Sequence, residues 1–301
     1  MLRVGVIGCG GMGRDHIRRL TEKIQGAEVV AVSDVFEESA RKAAEICGAK
    51  VYADSKELIN AENVDAVFIV SPGFAHVDSL LQAIEAGKRI FCEKPLCTTA
   101  EDCLKVVKAE EAAGKHLIQL GFMRRYDKGY QQIKEALATG EYGEPLILHC
   151  THRNPEVGTN YNTPMAVHDT AIHEIDVLHW LVDDEYESAQ VVMPKVTKYS
   201  HSELKDPQIM MLRTKNGVCI DVEVFVNCKF GYDINCEVVC EDGALKMAQP
   251  AYPSIRKNAA VSTAIDTDCF VRFKDAYDKE VQDWVDNAEA GVITGPNAWD
   301  G

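Results

Sequence analysis

Up to Gly121 two hydrophobic periods take turns along the chain. Short runs of β-branched and apolar residues at 2–8, 28–34, 64–70, 89–93 and 116–121 read as strands. Between them, apolar positions recur every three to four residues over 12–23, 36–47, 75–86 and 100–113, which read as helices. Gly87 and Gly114 follow two of these helices, where a left-handed C-terminal cap is expected. Strands that alternate with helices predict a parallel sheet covered on both faces, a doubly wound α/β domain over residues 1–122.

Beyond Gly121 the pattern changes. A helix is expected over 126–138 and a strand over 146–152, then a polar stretch rich in Asn, Pro and Gly over 153–167, then a helix over 168–181. From Ser188 strands dominate, at 190–197, 208–214, 217–226, 234–240 and 243–247, with hairpin signals at Asn216-Gly217 and Asp242-Gly243. This predicts a second, α+β domain over 123–301, built on a large, mostly antiparallel sheet with helices on one face.

Charge and cysteine content narrow the function classes. The 301 residues carry 32 Lys and Arg against 47 Asp and Glu, a formal charge of −15. A nucleic-acid surface needs clustered cations to neutralise phosphates, and this balance argues against one. No apolar run approaches the ~20 residues that span a bilayer, and the first residues lack the pattern of a secretion signal. The cysteines, 11 in all, are odd in number, scattered and without C-x-x-C spacing. Free thiols in a reducing, cytoplasmic compartment are expected, not disulfides or a zinc ribbon.

Gly8-Cys9-Gly10-Gly11-Met12-Gly13 follows the first strand directly and opens the first helix. The first glycine permits a tight turn, the second lets a pyrophosphate approach the backbone, and the third lets helix and strand pack closely. The helix N-terminus adds free amides and a partial positive charge. Asp34 closes the second strand, where a carboxylate accepts from ribose hydroxyls and repels a 2′-phosphate. The following Val35-Phe36-Glu37-Glu38 offers no Arg for such a phosphate, so NAD is expected over NADP. The competing reading of Asp34 is a helix cap without a ligand.

Glu93-Lys94-Pro95 ends the strand expected at 89–93, on the sheet edge where ligands bind in open parallel sheets. A second constellation is His168-Asp169-Thr170-Ala171-Ile172-His173. On a helix Asp169 and His173 are four apart and face the same way, so the carboxylate can orient the imidazole as a proton acceptor. The plainer alternative is a capping Asp followed by a core histidine. No metal site is expected: His168 and His173 lack the i, i+4 spacing of H-E-x-x-H and no third ligand is evident.

Taken in order, Gly8–Gly13, Glu93-Lys94-Pro95 and Asp169-x-x-x-His173 resemble the glucose–fructose oxidoreductase / inositol dehydrogenase / MocA family over the whole chain. Gly121-Phe122-Met123-Arg124-Arg125-Tyr126-Asp127 and His173-Glu174-Ile175-Asp176-Val177-Leu178-His179-Trp180-Leu181 resemble its bacterial inositol-dehydrogenase branch. The resemblance implies a Rossmann domain, then an α/β domain whose open sheet builds a homotetramer. It implies NAD-dependent oxidation of myo-inositol at C2 to 2-keto-myo-inositol, with other inositols or a pyranose as alternatives. Lys94 would bond the reacting hydroxyl and His173, supported by Asp169, would take its proton. Ser71, Pro72 and His76 would line the nicotinamide side with Glu93. Arg124, His152 and Tyr232 would contact the substrate ring, with Asn154 and Tyr161 as further candidates. Members of the family run on past Trp299-Asp300-Gly301 through a helix that crosses back to the cofactor domain, so the chain is expected to stop short of that helix. A non-catalytic NAD-binding regulator would lack the lysine or the Asp/His pair, and both are present.

Overall fold

The computed structural model describes residues 1–301, which divide into two units, Met1–Phe122 with Tyr277–Gly301, and Met123–Ala276. In the first unit six strands, β1 (Leu2–Ile7), β2 (Ala27–Ser33), β3 (Lys50–Tyr52), β4 (Ala66–Ile69), β5 (Arg89–Cys92) and β6 (Ile118–Leu120), are all parallel. Their order is β3-β2-β1-β4-β5-β6. Helices α1 (Gly11–Glu22), α2 (Glu37–Cys47), α3 (Ser55–Ile59), α4 (His76–Glu85) and α5 (Ala100–Ala113) connect them. The strands run outward in opposite directions from β1 and β4, and the cleft past their carboxyl ends is where such sheets bind ligands. Every residue of β4 is buried, as a strand covered on both faces requires.

Within residues 1–122 the sequence pattern located every long element but missed β3 and α3. Strand β3 is three residues long, lies at the sheet edge and includes an exposed lysine, so no hydrophobic period can develop. Helix α3 has five residues, and Asp54 caps it through the Glu57 N–H.

The second unit is built on β7 (Pro145–Arg153), β8 (Tyr186–Val192), β9 (Gln208–Thr214), β10 (Cys219–Phe225), β11 (Asp233–Cys240) and β12 (Ala244–Lys246). The order is β12-β11-β7-β10-β9-β8, antiparallel except for the parallel pair β7 and β10. Helices α6 (Lys128–Ala138) and α7 (Ile172–Val182) pack on one face. Alternation along β7 buries Leu148, Cys150 and His152 toward the helices and turns His149, Thr151 and Arg153 to the other side.

Two expectations are corrected in this unit. Strand β8 begins at Tyr186, not at Gln190, because it pairs with β9 from Tyr186 opposite Thr214 to Val192 opposite Ile209. The apolar Val191-Val192-Met193 drew the reading downstream of the polar, exposed start of the strand. The helix expected at 168–181 begins earlier, with a π turn over Ala166–Ala171 leading into α7.

The C-terminal segment does not remain with the second unit, contrary to the expected domain limits. After α8 (Cys269–Arg272) and into α9 (Lys274–Ala290), the residues from Tyr277 onward cluster with the first unit. Val281, Trp284, Val285 and Ala288 form an apolar stripe at helical spacing and join the core beside Phe68 and Phe91. Trp284 is fully buried, edge-on to Phe68 at 4.9 Å, and donates from Nε1 to Ile90 O at 3.3 Å. Most of α9 thus belongs to the first unit. No helix is long and apolar enough to cross a membrane.

Candidate active site

In the first unit the glycine loop leaves β1 at Gly8, whose φ of +96° only glycine adopts readily. A Cβ at Gly13 would stand 2.0 Å from Gly8 O, so only glycine lets α1 start this close to the strand. A Cβ at Gly10 or Gly11 would meet nothing within 4 Å, which leaves the cradle over the helix start open. Helix α1 has no side-chain cap and no acidic residue in its first turn, which includes Met12, so its amides face that cradle unopposed. Asp34 Oδ2 accepts from Cys9 N–H at 2.7 Å and Oδ1 from Phe36 N–H at 2.8 Å. The carboxylate is therefore pinned beside the glycine loop. It does not cap α2, whose N-cap is Phe36. These features fit an NAD: an open anion cradle and a fixed acceptor at the ribose position.

The loop after β4 carries Ser71 and Pro72, with Pro72 exposed and Ser71 half-buried. Ser71 Oγ is buried and finds no hydrogen-bond partner in the protein, which suits a ligand-facing donor. Two of the expected cofactor contacts are instead spent inside the protein. His76 is fully buried, with Nε2 2.6 Å from Ser71 O and Nδ1 2.8 Å from Pro95 O, so its ring ties the two loops together. Glu93 turns inward to His16, Nε2 to Oε1 2.7 Å, and its Oε2 accepts from Lys94 N–H at 3.3 Å. Lys94 lies two residues past the end of β5 and is half-buried.

The second unit gathers its own group on the helix-covered face. His173, on the first turn of α7, is 8% exposed and lies 6.3 Å from the ring of His152. Tyr232 precedes β11 on the same face as His152 and stands edge-on to it at 5.8 Å. Asp169 lies in the π turn, one of the helical irregularities common at functional sites, with His168 Nδ1 3.2 Å from its Oδ1. Arg124 is completely buried and donates to Glu174 Oε1, while its other terminal nitrogen lies 3.1 Å from His152 Nδ1. His152 Nδ1 is in turn 2.8 Å from Glu174 Oε2.

Burial alone would raise the Glu174 carboxyl, but the Arg124 guanidinium and the His152 imidazole beside it hold it below the ordinary range. Burial pushes the Tyr232 hydroxyl up from its ordinary value. Glu174 was absent from the expected site residues, as was Asp176, which pairs with Arg125. The available signal was two carboxylates, at 174 and 176, inside an otherwise apolar helix. The further candidates differ. Tyr161 donates to Met165 O at 2.7 Å and lies 2.5 Å from Thr170 Oγ1, so its hydroxyl braces the π turn. Asn154 is tied by its backbone to Phe225 and Cys228.

This geometry is that of a known class. Residues 2–122 match an oxidoreductase family with an NAD-binding Rossmann fold, and residues 130–246 match the GFO/IDH/MocA C-terminal domain. The chain belongs to the Gfo/Idh/MocA family and is an NAD-dependent oxidoreductase. It is 52% identical over 302 residues to an inositol 2-dehydrogenase of Klebsiella pneumoniae, covering 100% of this chain and 90% of the relative. It is also 52% identical over 303 residues to an inositol 2-dehydrogenase/D-chiro-inositol 3-dehydrogenase of Halalkalibacterium halodurans, covering 100% and 87%. Among solved structures, myo-inositol dehydrogenase from Lactobacillus casei in complex with NAD(H) and myo-inositol superposes with a TM-score of 0.97 at 45% identity, covering 100% of this chain and 90% of that one.

Proposed function

We propose that the protein oxidises myo-inositol at C2 to 2-keto-myo-inositol, that is, scyllo-inosose. The observation that carries this reading is the gathering of His173, His152 and Tyr232 beside the buried Arg124–Glu174 pair, in a chain 45% identical to a myo-inositol dehydrogenase. NAD, when bound, supplies the hydride acceptor. Gly8, Gly10, Gly11, Met12 and Gly13 receive its pyrophosphate, Asp34 its adenosine ribose, and Ser71 and Pro72 its nicotinamide side. His76 and Glu93 act behind that surface, holding the loops. Lys94 donates a hydrogen bond to the reacting oxygen as charge builds there, and His173 takes the hydroxyl proton with Asp169 orienting its ring. Arg124, His152 and Tyr232 hold the ring hydroxyls, and a polyol offers enough donors and acceptors to satisfy all three.

The same reading includes a reducing cytoplasmic setting, supported by 11 cysteines that are all free. It also includes a homotetramer built through the open sheet face. That face pairs His149 with Asp221 and Arg153 with Glu223 and Asp233, and it exposes Ile147 and Met211.

The test is reduction of NAD or NADP by purified protein with myo-, scyllo- and D-chiro-inositol and glucose, followed by nicotinamide absorbance. Turnover of myo-inositol with NAD is expected, with scyllo-inosose as the product by chromatography. Lys94→Ala and His173→Ala should each lower turnover by about 10²–10⁴-fold while leaving NAD binding in place. Turnover of another polyol in preference to myo-inositol overturns the substrate, and no turnover of any polyol by NAD-bound protein overturns the reaction.

A further inference from the structure

One buried polar pair outside the groups assigned to substrate is distinguished by its location. His16 lies on α1 with its ring completely buried. Phe68 and Phe91 each lie 5.5 Å from it, edge-on, and Tyr277 lies at 6.2 Å. Its Nε2–H donates to Glu93 Oε1 at 2.7 Å, while Nδ1 finds no partner in the protein. The other Glu93 oxygen accepts from the backbone N–H of Lys94 at 3.3 Å. On a further side the carboxyl abuts Gly121, where a Cβ would approach it to 3.1 Å. The carboxyl therefore has little freedom to move away from Lys94.

A position selected for packing alone would be filled differently. Three aromatic rings surround His16, so an apolar side chain suits the space, whereas a buried nitrogen without a partner costs about 1–3 kcal/mol. Buried polar pairs also contribute little net stability over apolar residues of similar shape. What the pair supplies is a link. It joins the helix whose amides face the phosphate cradle to the main chain of the lysine at the end of β5.

We propose that His16 is a positioning residue for Lys94, fixing the lysine's main chain through Glu93 relative to the helix that receives the dinucleotide. This rests on the reading of Lys94 as the group that touches the reacting oxygen. Catalysis is steep in geometry: a displacement of about 1 Å can lower a rate by about 10²-fold. His16 itself touches neither substrate nor cofactor. Its removal should therefore act on the chemical step and not on binding.

The experiment compares His16→Leu with His16→Gln, whose amide N–H can still donate to Glu93. Four quantities are read: melting temperature, NAD affinity, kcat and KM for the polyol, and the acetylation rate of Lys94 relative to exposed Lys42 by mass spectrometry. For His16→Leu, we expect kcat to fall at least about tenfold with NAD affinity and KM within about threefold. Lys94 labelling should change several-fold with no loss of melting temperature, and His16→Gln should restore both kcat and labelling to near the parent values. Glu93→Ala, which removes the carboxyl that accepts from the Lys94 N–H, should shift Lys94 labelling in the same direction as His16→Leu, and it serves alone if the leucine variant does not fold. Unchanged kcat and labelling, equal losses in the Leu and Gln variants, or a defect confined to NAD affinity would each overturn the proposal. Labelling needs no substrate, so a parent protein that oxidises no polyol defeats the functional reading and still leaves the His16 link decided.

Discussion

Asp34 and His76 in the first unit are placed by main-chain atoms, whereas Arg124, His152 and Glu174 in the second are placed by one another. Asp34 accepts from two backbone amides, and His76 is held between two backbone carbonyls. Arg124 and Glu174 are both fully buried ions whose nearest support is the opposite charge. The difference teaches where each half is fragile. Loss of a group anchored by main chain leaves an ordinary hydrogen bond unmade. Loss of one member of a buried ion pair strands its partner's charge in low dielectric.

The sharpest way to break this contrast is Glu174→Ala. It should destabilise the second unit by about 3–5 kcal/mol, because Arg124 is left buried without its carboxylate. Urea unfolding monitored by circular dichroism measures it, and a loss below about 1 kcal/mol would refute the dependence on the pair. The same carboxylate gives a pH signature. The Glu174 carboxyl is lower in the folded chain than in the unfolded one, so its contribution is full at neutral pH. It fades as pH falls through and below the ordinary glutamate value of about 4.3. Stability measured from pH 7 to pH 3 should therefore decline less steeply in Glu174→Gln than in the parent, and parallel curves would count against the pairing.

The main-chain side of the comparison predicts smaller effects on stability and a specific effect on binding. Asp34→Ser removes the charge that opposes a 2′-phosphate while keeping a hydroxyl near Cys9. The ratio of NAD to NADP affinity should shift toward NADP by about tenfold or more, or about 1.4 kcal/mol, by calorimetry. An unchanged ratio would deny Asp34 its role as discriminator. Smallest is Thr99→Ala, which removes the cap that accepts from Asp102 N–H at the start of α5. It should lower stability by about 1 kcal/mol without altering NAD affinity, in a thermal melt paired with titration.

The same contrast explains what was legible in the sequence. A site built from main-chain geometry writes itself as contiguous residues: Gly8 to Gly13, with Asp34 at the end of the next strand. The doubly wound class was readable for a related reason, since buried parallel strands and their covering helices differ in period. The Arg124–Glu174 pair spans 50 positions, and nothing local in either residue names its partner. Arg124 and His152 were named only through family resemblance, and Glu174 showed only as a carboxylate set in a largely apolar helix. His76 and Glu93 were read as ligand-facing, and both side chains are buried against neighbouring protein atoms. Exposure and burial of single side chains in a loop leave no periodic trace. The second sheet was legible where strands alternate strictly, as in β9 and β11, and misplaced at β8, whose residues are largely exposed on both sides.

Trp284 sets the order in which a nascent chain can finish its parts. Phe68 and Phe91 emerge from the ribosome early, yet the indole that covers them is made only after residues 123–276 have been synthesised. The inserted second unit can therefore complete its sheet while the earlier-made sheet still shows an aromatic surface to solvent. At about 5–20 residues per second that interval lasts roughly 10–40 s. A chaperone that binds exposed aromatic surface would find its target during synthesis in the half of the protein that was translated first.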